Sequence, residues 1–500
     1  MNKSISNIVK KLKNKNLNFF YILFLISLIF LSCSKNPYTE KNELTLFMNK
    51  KQEQKIGDNQ HNKIINYYGG VYKSPILGEY IASIGANIAN SAMLNDQNFT
   101  FTILNTPIVN AFASPGGYIY LTRGLVALCR NESELAFVIA HEMAHLLARH
   151  TAQSYSRDIL GKIGATIIGA TVDSRAAEDL GHLVNNLTIA KFSRSNELEA
   201  DSLAIKYLVK SGYNPRASSD FLSTLIKFKK YRKNIGYPET DSRSLFASHP
   251  PTEERIQLSK KLTISEDSNR DHSAFFKNVS GIIYGDDPAH GILVDENFIH
   301  PSLNFSMRLP KSFLVDNRSQ ALVAMKKNIA IIKIDVSSKN SFHADPLTYL
   351  KNIWQSNKNM ELIESLKIND FNAATGYFFA NGRINDYSGK IKVRYVAIRL
   401  DNSKYLRLTF ISRENGEAFD DENFKSIAFS IRKINEREIK KTIPLRLFFL
   451  EVERDISFDL IIKNEMQGQY RSERFVLLNS INQNTTVKKG KIIKVLKYKK

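Results

Sequence analysis

Residues 131–150, NESELAFVIAHEMAHLLARH, leave this chain few choices of local structure. Asn131 and Glu134 are spaced as in a variant of the capping box, and mostly apolar residues follow without Gly or Pro. The pattern predicts one helix through the end of the stretch. His141 and His145, four residues apart, then lie on the same helical face, where two imidazoles reach one tetrahedral Zn²⁺. The helix is therefore predicted to carry half of a metal site.

Glu142 directly follows His141 and is predicted to lie beside the attacking water rather than on the metal. A carboxylate in that position takes a proton from the water and later passes it to the leaving amine. With ten His and 49 acidic residues in 500 positions, an H-E-x-x-H pattern arises by chance in roughly one such chain in a hundred. The pattern therefore predicts zinc-dependent hydrolysis, with one Zn²⁺ per chain as cofactor.

A second predicted helix, which stops at Gly212, supplies the third metal ligand that zinc requires. Glu197 and Asp201 are four residues apart and share a face of this helix. We expect Glu197 to bind the metal and Asp201 to accept a hydrogen bond from the free nitrogen of His141, which fixes the tautomer of that ring. Glu199 is the alternative ligand, but it points elsewhere on the helix and is expected to be a surface charge.

Three segments together resemble a known family: HEMAH, NELEAD and SHPPTEERI at Ser248–Ile256. They are similar to the zinc peptidases of the CAAX-prenyl-protease class (HtpX- and Oma-related), especially the BepA-like periplasmic branch. The resemblance implies that the Glu of the E-x-x-x-D pair, here Glu197, is the third ligand. It also implies that His249 lies near the metal, either as a removable fourth ligand that keeps the enzyme off or as a group that stabilises the transition state. A His249 that only caps a turn is the alternative.

Upstream, NAFASPGGYIYLTRGL is similar to the active-site edge strand of that family. Tyr118, Ile119 and Tyr120 follow a Gly-Gly turn and are β-prone. They are predicted to form an edge strand that holds an extended substrate through backbone hydrogen bonds. An ordinary core hairpin explains them equally well from the residues alone. His150 and His182 have no partner at ligand spacing and are expected to be ordinary histidines.

The N-terminus has the three parts of an export signal: basic residues, the apolar run Phe19–Leu31, and then Ser32 and Cys33. The run is shorter than the roughly 20 apolar residues of a membrane-spanning helix. Residues 1–32 are predicted to be a lipoprotein signal peptide, with Cys33 lipidated and the chain anchored to a membrane of the bacterial cell envelope, facing the periplasm. Cleavage without lipidation and an uncleaved anchor are the alternatives.

The formal net charge of +21 would suggest nucleic acid as a partner of a cytosolic protein. An exported chain meets anionic lipid head groups and envelope polymers instead, so no nucleic-acid partner is expected. Only two cysteines are present, Cys33 and Cys129. A lipidated Cys33 leaves Cys129 without an intramolecular partner, which excludes a disulfide framework.

The predicted fold class is α+β and multidomain. Two polar segments divide the chain, and the residue pattern changes from helical to strand-like at the first of them. Residues 33–264 are predicted to form a mainly helical, zincin-type catalytic domain with a small β-edge, and 275–435 an α+β accessory domain. Residues 443–497 resemble a LysM-like module, a kind of unit that often binds peptidoglycan. The usual Gly-Asp-Thr start of that module is replaced by Arg454-Asp455-Ile456, so glycan binding stays open.

The predicted function is that of a zinc-dependent endopeptidase that hydrolyses unfolded or misassembled envelope proteins. The metal chemistry comes from the residues, whereas the substrate class is implied by the family resemblance. Two alternatives from other classes are a non-catalytic envelope chaperone or assembly lipoprotein, and a peptidoglycan-binding lipoprotein.

Overall fold

The structure, a computed structural model, describes residues 34–499 apart from 44, 46–47, 95–96, 168–191, 238–243, 264–271, 338–343 and 415–420. The predicted signal peptide, Cys33 and His182 lie outside the described residues. Within the described part of the chain, helices and sheets are mixed, as the α+β prediction requires. No helix in that part is both long enough and apolar enough to cross a membrane.

The N-terminal part of the chain is mainly helical. Its strands are β1 (Ser34–Lys35), β2 (Asn42–Glu43), β3 (Thr100–Leu104), β4 (Ala111–Ser114) and β5 (Tyr118–Thr122). Its helices are α1 (Lys50–Tyr67), α2 (Pro75–Ser91), α3 (Arg123–Leu128), α4 (Glu132–Leu147), α5 (His150–Ile167), α6 (Arg194–Lys210), α7 (Ala217–Asn234), α8 (Leu245–Ser248), α9 (Glu253–Leu262) and α10 (Ser273–Val279). Helix α4 is buried along nearly its whole length, so it forms the centre of this part of the molecule.

Helix α4 begins as the sequence predicts but ends earlier. The Asn131 side chain accepts a hydrogen bond from the Glu134 backbone N–H at 2.9 Å, whereas the Glu134 carboxylate turns to Arg130 instead of closing a full capping box. The prediction of one continuous helix through His150 is wrong. Arg149 adopts a left-handed backbone conformation with φ of 50°, which separates α4 from α5.

The small sheet has the order β3-β5-β4, so the predicted edge strand is in fact the central strand. Tyr118, Ile119 and Tyr120 pair with β3 in parallel and with β4 in antiparallel orientation. Their backbone groups are used on both sides and cannot hold a substrate chain. The prediction failed because a Gly-Gly turn shows that two strands form a hairpin, but not which of them a third strand covers.

The middle part of the chain contains two sheets. Strands β6 (Ile292–Val294), β7 (Asn297–His300) and β8 (Phe305–Arg308) form a three-stranded antiparallel sheet. A seven-stranded antiparallel sheet, in the order β12-β13-β14-β15-β11-β10-β9, consists of β9 (Leu314–Asn317), β10 (Ala321–Lys326), β11 (Ala330–Val336), β12 (Leu362–Ile368), β13 (Phe371–Ile384), β14 (Tyr387–Arg399) and β15 (Tyr405–Arg413). Its helices are α11 (Pro346–Thr348), which runs on as a π-helix over Tyr349–Trp354, α12 (Asp421–Phe429) and α13 (Glu436–Lys441). Separate apolar clusters cover the two faces of the seven-stranded sheet.

The C-terminal part is a β-β-α-α-β-β unit. It consists of β16 (Leu445–Glu451), β17 (Ile456–Ser457), α14 (Phe458–Asn464), α15 (Arg471–Asn479), β18 (Thr486–Val487) and β19 (Ile492–Tyr498), with β16 antiparallel to β19. This unit shares one hydrophobic core with the N-terminal part rather than having a core of its own. The buried Lys494 amine donates to the carbonyl oxygens of Ala127 and Cys129, just before α4 begins.

The segment after α10 joins this shared core. Phe275 and Val279 of α10 lie in it, and Gly281 N–H donates to the Leu447 carbonyl of β16 at 2.7 Å. The predicted start of the middle domain at 275 is therefore too early, because α10 packs with the N-terminal and C-terminal parts. The polar segment before α10 predicts a domain boundary, but the polarity of a segment does not indicate which core the next element joins.

Candidate metal centre

Four side chains from three parts of the sequence meet in one buried cluster: His141 and His145 of α4, Glu197 of α6, and His249 just after α8. One potential ligand atom from each lies within 4.8 Å of the others. The structure thus brings together the three predicted ligands and the histidine that the family resemblance placed near them. Helix periodicity explains the first two, since a spacing of four residues puts both rings on one face.

The spacing of the ligand atoms suits a tetrahedral ion. The Nε2 atoms of His141 and His145 lie 3.1 Å apart. His145 Nε2 is 3.4 Å from Glu197 Oε1, and His141 Nε2 is 3.5 Å from Glu197 Oε2. His249 Nδ1 is 3.3 Å from His141 Nε2 and 2.9 Å from Glu197 Oε1. Bonds of about 2.0–2.1 Å to a tetrahedral ion separate its ligands by roughly 3.3–3.4 Å. The donor set, three imidazoles and one carboxylate, therefore fits Zn²⁺ in size and chemistry.

The second nitrogen of His141 faces the predicted carboxylate: His141 Nδ1 lies 3.0 Å from Asp201 Oδ1. Arg255 of α9 donates from Nε and one terminal nitrogen to both Asp201 oxygens, each at 2.7 Å, and its other terminal nitrogen lies 2.8 Å from Glu197 Oε2. No pattern in the sequence assigns Arg255 a role, because only the folded chain brings α9 against α6. The fixed fork of a guanidinium holds both carboxylates in place.

The electrostatics of the cluster favour a bound cation. Burial lowers the pKa of His141, but Asp201 and Glu197 outweigh that effect and raise the pKa to about 9. Burial also opposes ionisation of Glu197, yet the neighbouring His249, His141 and His145 hold its pKa well below the usual range. Glu197 and Asp201 are therefore ionised in the interior. Arg255 offsets one of these charges, and a proton on His141 or a metal ion in its place offsets the other.

Glu142 is buried beside the cluster with its carboxylate available. Its Oε1 lies 3.6 Å from His249 Nε2, and within the described part of the chain neither Glu142 oxygen accepts a hydrogen bond. A buried carboxylate without a donor is costly unless another group fills the space. This is the placement expected for a group that contacts a water or substrate rather than the metal.

The backbone around His249 is fixed on both sides. Its N–H donates to the Leu245 carbonyl at 2.7 Å, while the Leu245 N–H donates to the carbonyl of Val109 next to β4. Arg255 donates to the carbonyl of Pro250 at 3.1 Å. The alternative in which His249 only caps a turn does not account for a buried ring directed into the cluster.

His150 and Glu199 differ from expectation. His150, expected to be an ordinary histidine, has its Nδ1 2.8 Å from His145 Nδ1 and is completely buried. Glu199, expected to be a surface charge, lies 3.2 Å from His150 Nε2 and its side chain is only 17% exposed. The spacing of His150 from His145 gave no signal because the turn at Arg149, not helix periodicity, brings the two rings together.

The two tyrosines of the predicted substrate strand contact α1 instead of a cleft. Tyr120 Oη lies 2.8 Å from His61 Nδ1, and the Tyr118 hydroxyl donates to Asp58 at 2.8 Å. The edge that lies next to the cluster belongs to β4, which packs against α4 and α8. Burial raises the pKa of Tyr120 above its ordinary value, so this hydroxyl stays protonated and structural.

Part of the chain matches a known protein family. Residues 75–263 match peptidase family M48, and these residues include all four members of the cluster. The chain is 30% identical over 216 residues to the beta-barrel assembly-enhancing protease of Escherichia coli (strain K12), covering 41% of this chain and 42% of that protein. It is 31% identical over 183 residues to the protein of the same name from Yersinia pestis, covering 34% and 38%.

A eukaryotic relative also matches. The mitochondrial metalloendopeptidase OMA1 of Saccharomyces cerevisiae is 27% identical over 183 residues, which cover 34% of this chain and 49% of that protein. The chain thus matches less than half the length of each of these three relatives.

Proposed function

We propose that the protein is a zinc-dependent endopeptidase, with His141, His145 and Glu197 as the metal ligands, because residues 75–263 match peptidase family M48. The observation that carries the proposal is the buried cluster of ligand atoms at tetrahedral spacing. Asp201 and Arg255 orient the ligands from outside.

Zinc held by these ligands would polarise the scissile carbonyl and lower the pKa of a water. Glu142 takes the proton from the attacking water and later delivers it to the leaving nitrogen, which its uncommitted carboxylate favours. His249 lies within reach of both the ligand atoms and Glu142. It can therefore close the site as a removable fourth ligand, or move aside and stabilise charge in the transition state.

We expect the purified protein to bind about one zinc per chain, because three protein ligands complete a tetrahedral site with one further position. His145→Ala and Glu197→Ala should each lose the metal. The measurement is elemental analysis after gel filtration, with circular dichroism as the check that the variants are folded. Stoichiometric zinc retained in both folded variants would overturn the ligand assignment.

The substrate proposal is an extended, unfolded or misassembled polypeptide of the bacterial envelope. Strand β4 supports it, since an antiparallel ladder directs alternate backbone groups outward and those of Ala111 and Ala113 point away from β5. A chain that adds to this edge is held by its backbone, which needs little side-chain specificity. The relatives named beta-barrel assembly-enhancing protease support an envelope substrate.

We also propose the catalytic domain and the location that the sequence predicts: a lipid anchor at Cys33, a catalytic domain over 33–264, and a chain that faces the periplasm. The C-terminal unit over 443–497 keeps its predicted LysM-like character, and peptidoglycan as its ligand, as a proposal without assigned sugar contacts. The two consecutive helices of this unit, with strands before and after them, support the LysM-like character.

The anchor gives a separate prediction. Wild type should incorporate radiolabelled palmitate and sediment with membranes, because acylation of Cys33 adds the chains needed for stable attachment. Cys33→Ala should incorporate no label and leave the membrane fraction or be misprocessed. Wild type without label would refute the lipid anchor while leaving the peptidase proposal intact.

A further inference from the structure

A line of polar contacts runs outward from the metal ligand His145. Its Nε2 faces the cluster, and its Nδ1 lies 2.8 Å from His150 Nδ1. His150 Nε2 lies 3.2 Å from Glu199 Oε2, and Glu199 Oε1 lies 2.8 Å from Lys41 Nζ. The line therefore extends from a buried ring to a lysine side chain that is 70% exposed.

One assignment of protons satisfies every contact in this line. A His145 that binds a metal through Nε2 keeps its proton on Nδ1 and donates it to His150 Nδ1. His150 then carries its own proton on Nε2 and donates to the Glu199 carboxylate. Each ring thus has one donor and one acceptor in use, and the line ends in an ion pair with Lys41.

The fold builds this arrangement at the end of α4. The left-handed Arg149 reverses the chain so that His150 returns to the His145 ring. The Arg149 guanidinium donates to the Met48 carbonyl at 2.7 Å and to Glu53 at 3.3 Å, which holds the turn against the N-terminal segment. A non-glycine residue in this conformation persists only where its surroundings fix it.

Packing around the two rings leaves them little freedom. The Phe192 ring stacks on His145 with centroids 4.0 Å apart and lies 5.9 Å from the His150 ring. His150 itself is completely buried. A polar ring in such a position is costly unless both nitrogens are hydrogen-bonded, and the contacts above supply both partners.

We propose that His150 and Glu199 are positioning residues for His145: they fix its tautomer and ring orientation, as Asp201 does for His141, and so strengthen metal binding. The inference rests on the proposed function in taking His145 as a zinc ligand. It gives this site two independent outer supports, one on each histidine of α4, and the second reaches the surface through Lys41.

The test is the zinc dissociation constant, measured by competition with a chromophoric chelator. His150→Phe keeps an aromatic ring but removes both nitrogens, and loss of such an outer partner weakens metal binding by about 10–100-fold. His150→Gln should restore much of the affinity, because its amide accepts from His145 and donates to Glu199. The d–d spectrum of the Co²⁺-substituted protein should change in His150→Phe and return towards wild type in His150→Gln.

Two further variants separate positioning from packing. Glu199→Leu removes the outer carboxylate at a partly exposed position and should also weaken zinc binding, even where His150→Phe does not fold. Glu364→Gln removes an exposed carboxylate from strand β12 in the middle part of the chain and should leave zinc affinity unchanged.

Zinc affinity within about twofold of wild type in folded His150→Phe, or in Glu199→Leu where that variant alone folds, overturns the positioning role, because loss of an outer partner should cost at least tenfold. In that case wild type still binds zinc and the proposed function stands. A wild type that binds no zinc overturns both proposals together.

Discussion

Glu142→Gln is expected to lower peptide hydrolysis by about 10²–10⁴-fold while zinc stays bound. Glutamine keeps the size and most of the hydrogen-bonding capacity of the side chain but cannot accept the proton of the attacking water. The Glu142 carboxylate is not within the group of potential ligand atoms, so the metal should not leave. The measurements are cleavage of unfolded casein and zinc content in the same preparation.

Glu364→Gln is the matched control, because it makes the same chemical change in an exposed side chain of strand β12, in the middle part of the chain. It should cleave casein at the wild-type rate. Loss of zinc from a folded Glu142→Gln protein would contradict the proposed division of roles between Glu142 and Glu197. Equal cleavage by wild type and Glu142→Gln would refute the role of Glu142. Absence of cleavage by wild type itself would favour the chaperone alternative.

His249→Ala, measured with the same two assays, decides between its two proposed roles. If His249 closes the site as a fourth ligand, casein cleavage rises in the variant and zinc remains on His141, His145 and Glu197. If His249 stabilises the transition state, cleavage falls with zinc still bound. Both outcomes depend on the position of His249 Nδ1 against Glu197 and of its Nε2 towards Glu142.

What the sequence predicted well is local. Four-residue spacing in a helix puts His141 beside His145 and Glu197 on the same face as Asp201, and these relations need no knowledge of the rest of the fold. The helix start at Asn131 and the stop near Gly212 likewise depend on a side chain or a backbone conformation within one turn.

What the sequence could not show depends on distant contacts. Arg255 reaches Asp201 across 54 residues, and the turn at Arg149 is held by groups about 100 residues earlier in the chain. The role of β4 as the edge of its sheet depends on which strand β3 joins. No periodicity or capping signal reports such pairings, so the contact of His150 with His145 and the edge position of β4 could be found only in the folded chain.

The prediction of where the middle domain starts failed for a related reason. A change in residue pattern marks where strands replace helices. It does not show that α10 and β16 belong to one core, because more than 160 residues separate them. The C-terminal unit resembles a module in sequence and yet packs as part of the structure that holds α4. This arrangement makes a quantitative prediction about stability.

Leu447→Ala is expected to destabilise the protein by about 2–5 kcal/mol, the cost of deleting a fully buried leucine side chain. Leu447 is completely buried in the core that also contains Leu128, Cys129 and Phe275. Casein cleavage should therefore be lost in the same thermal transition as the C-terminal unit, since the Lys494 amine ties that unit to the carbonyls just before α4. Thermal unfolding by near-UV circular dichroism, with residual activity after each temperature step, measures both.

The matched control is Leu460→Ala in the same unit, where the leucine is 49% exposed and the change should cost within about 0.5 kcal/mol. A glycan-binding module that folds independently of the peptidase would unfold in a transition of its own. Leu447→Ala would then lower an early, separate transition, while casein cleavage would survive to the wild-type temperature. One shared transition would mean that the C-terminal unit stabilises α4, the helix that carries His141 and His145. A ligand bound to the C-terminal unit would then act on a part of the same core.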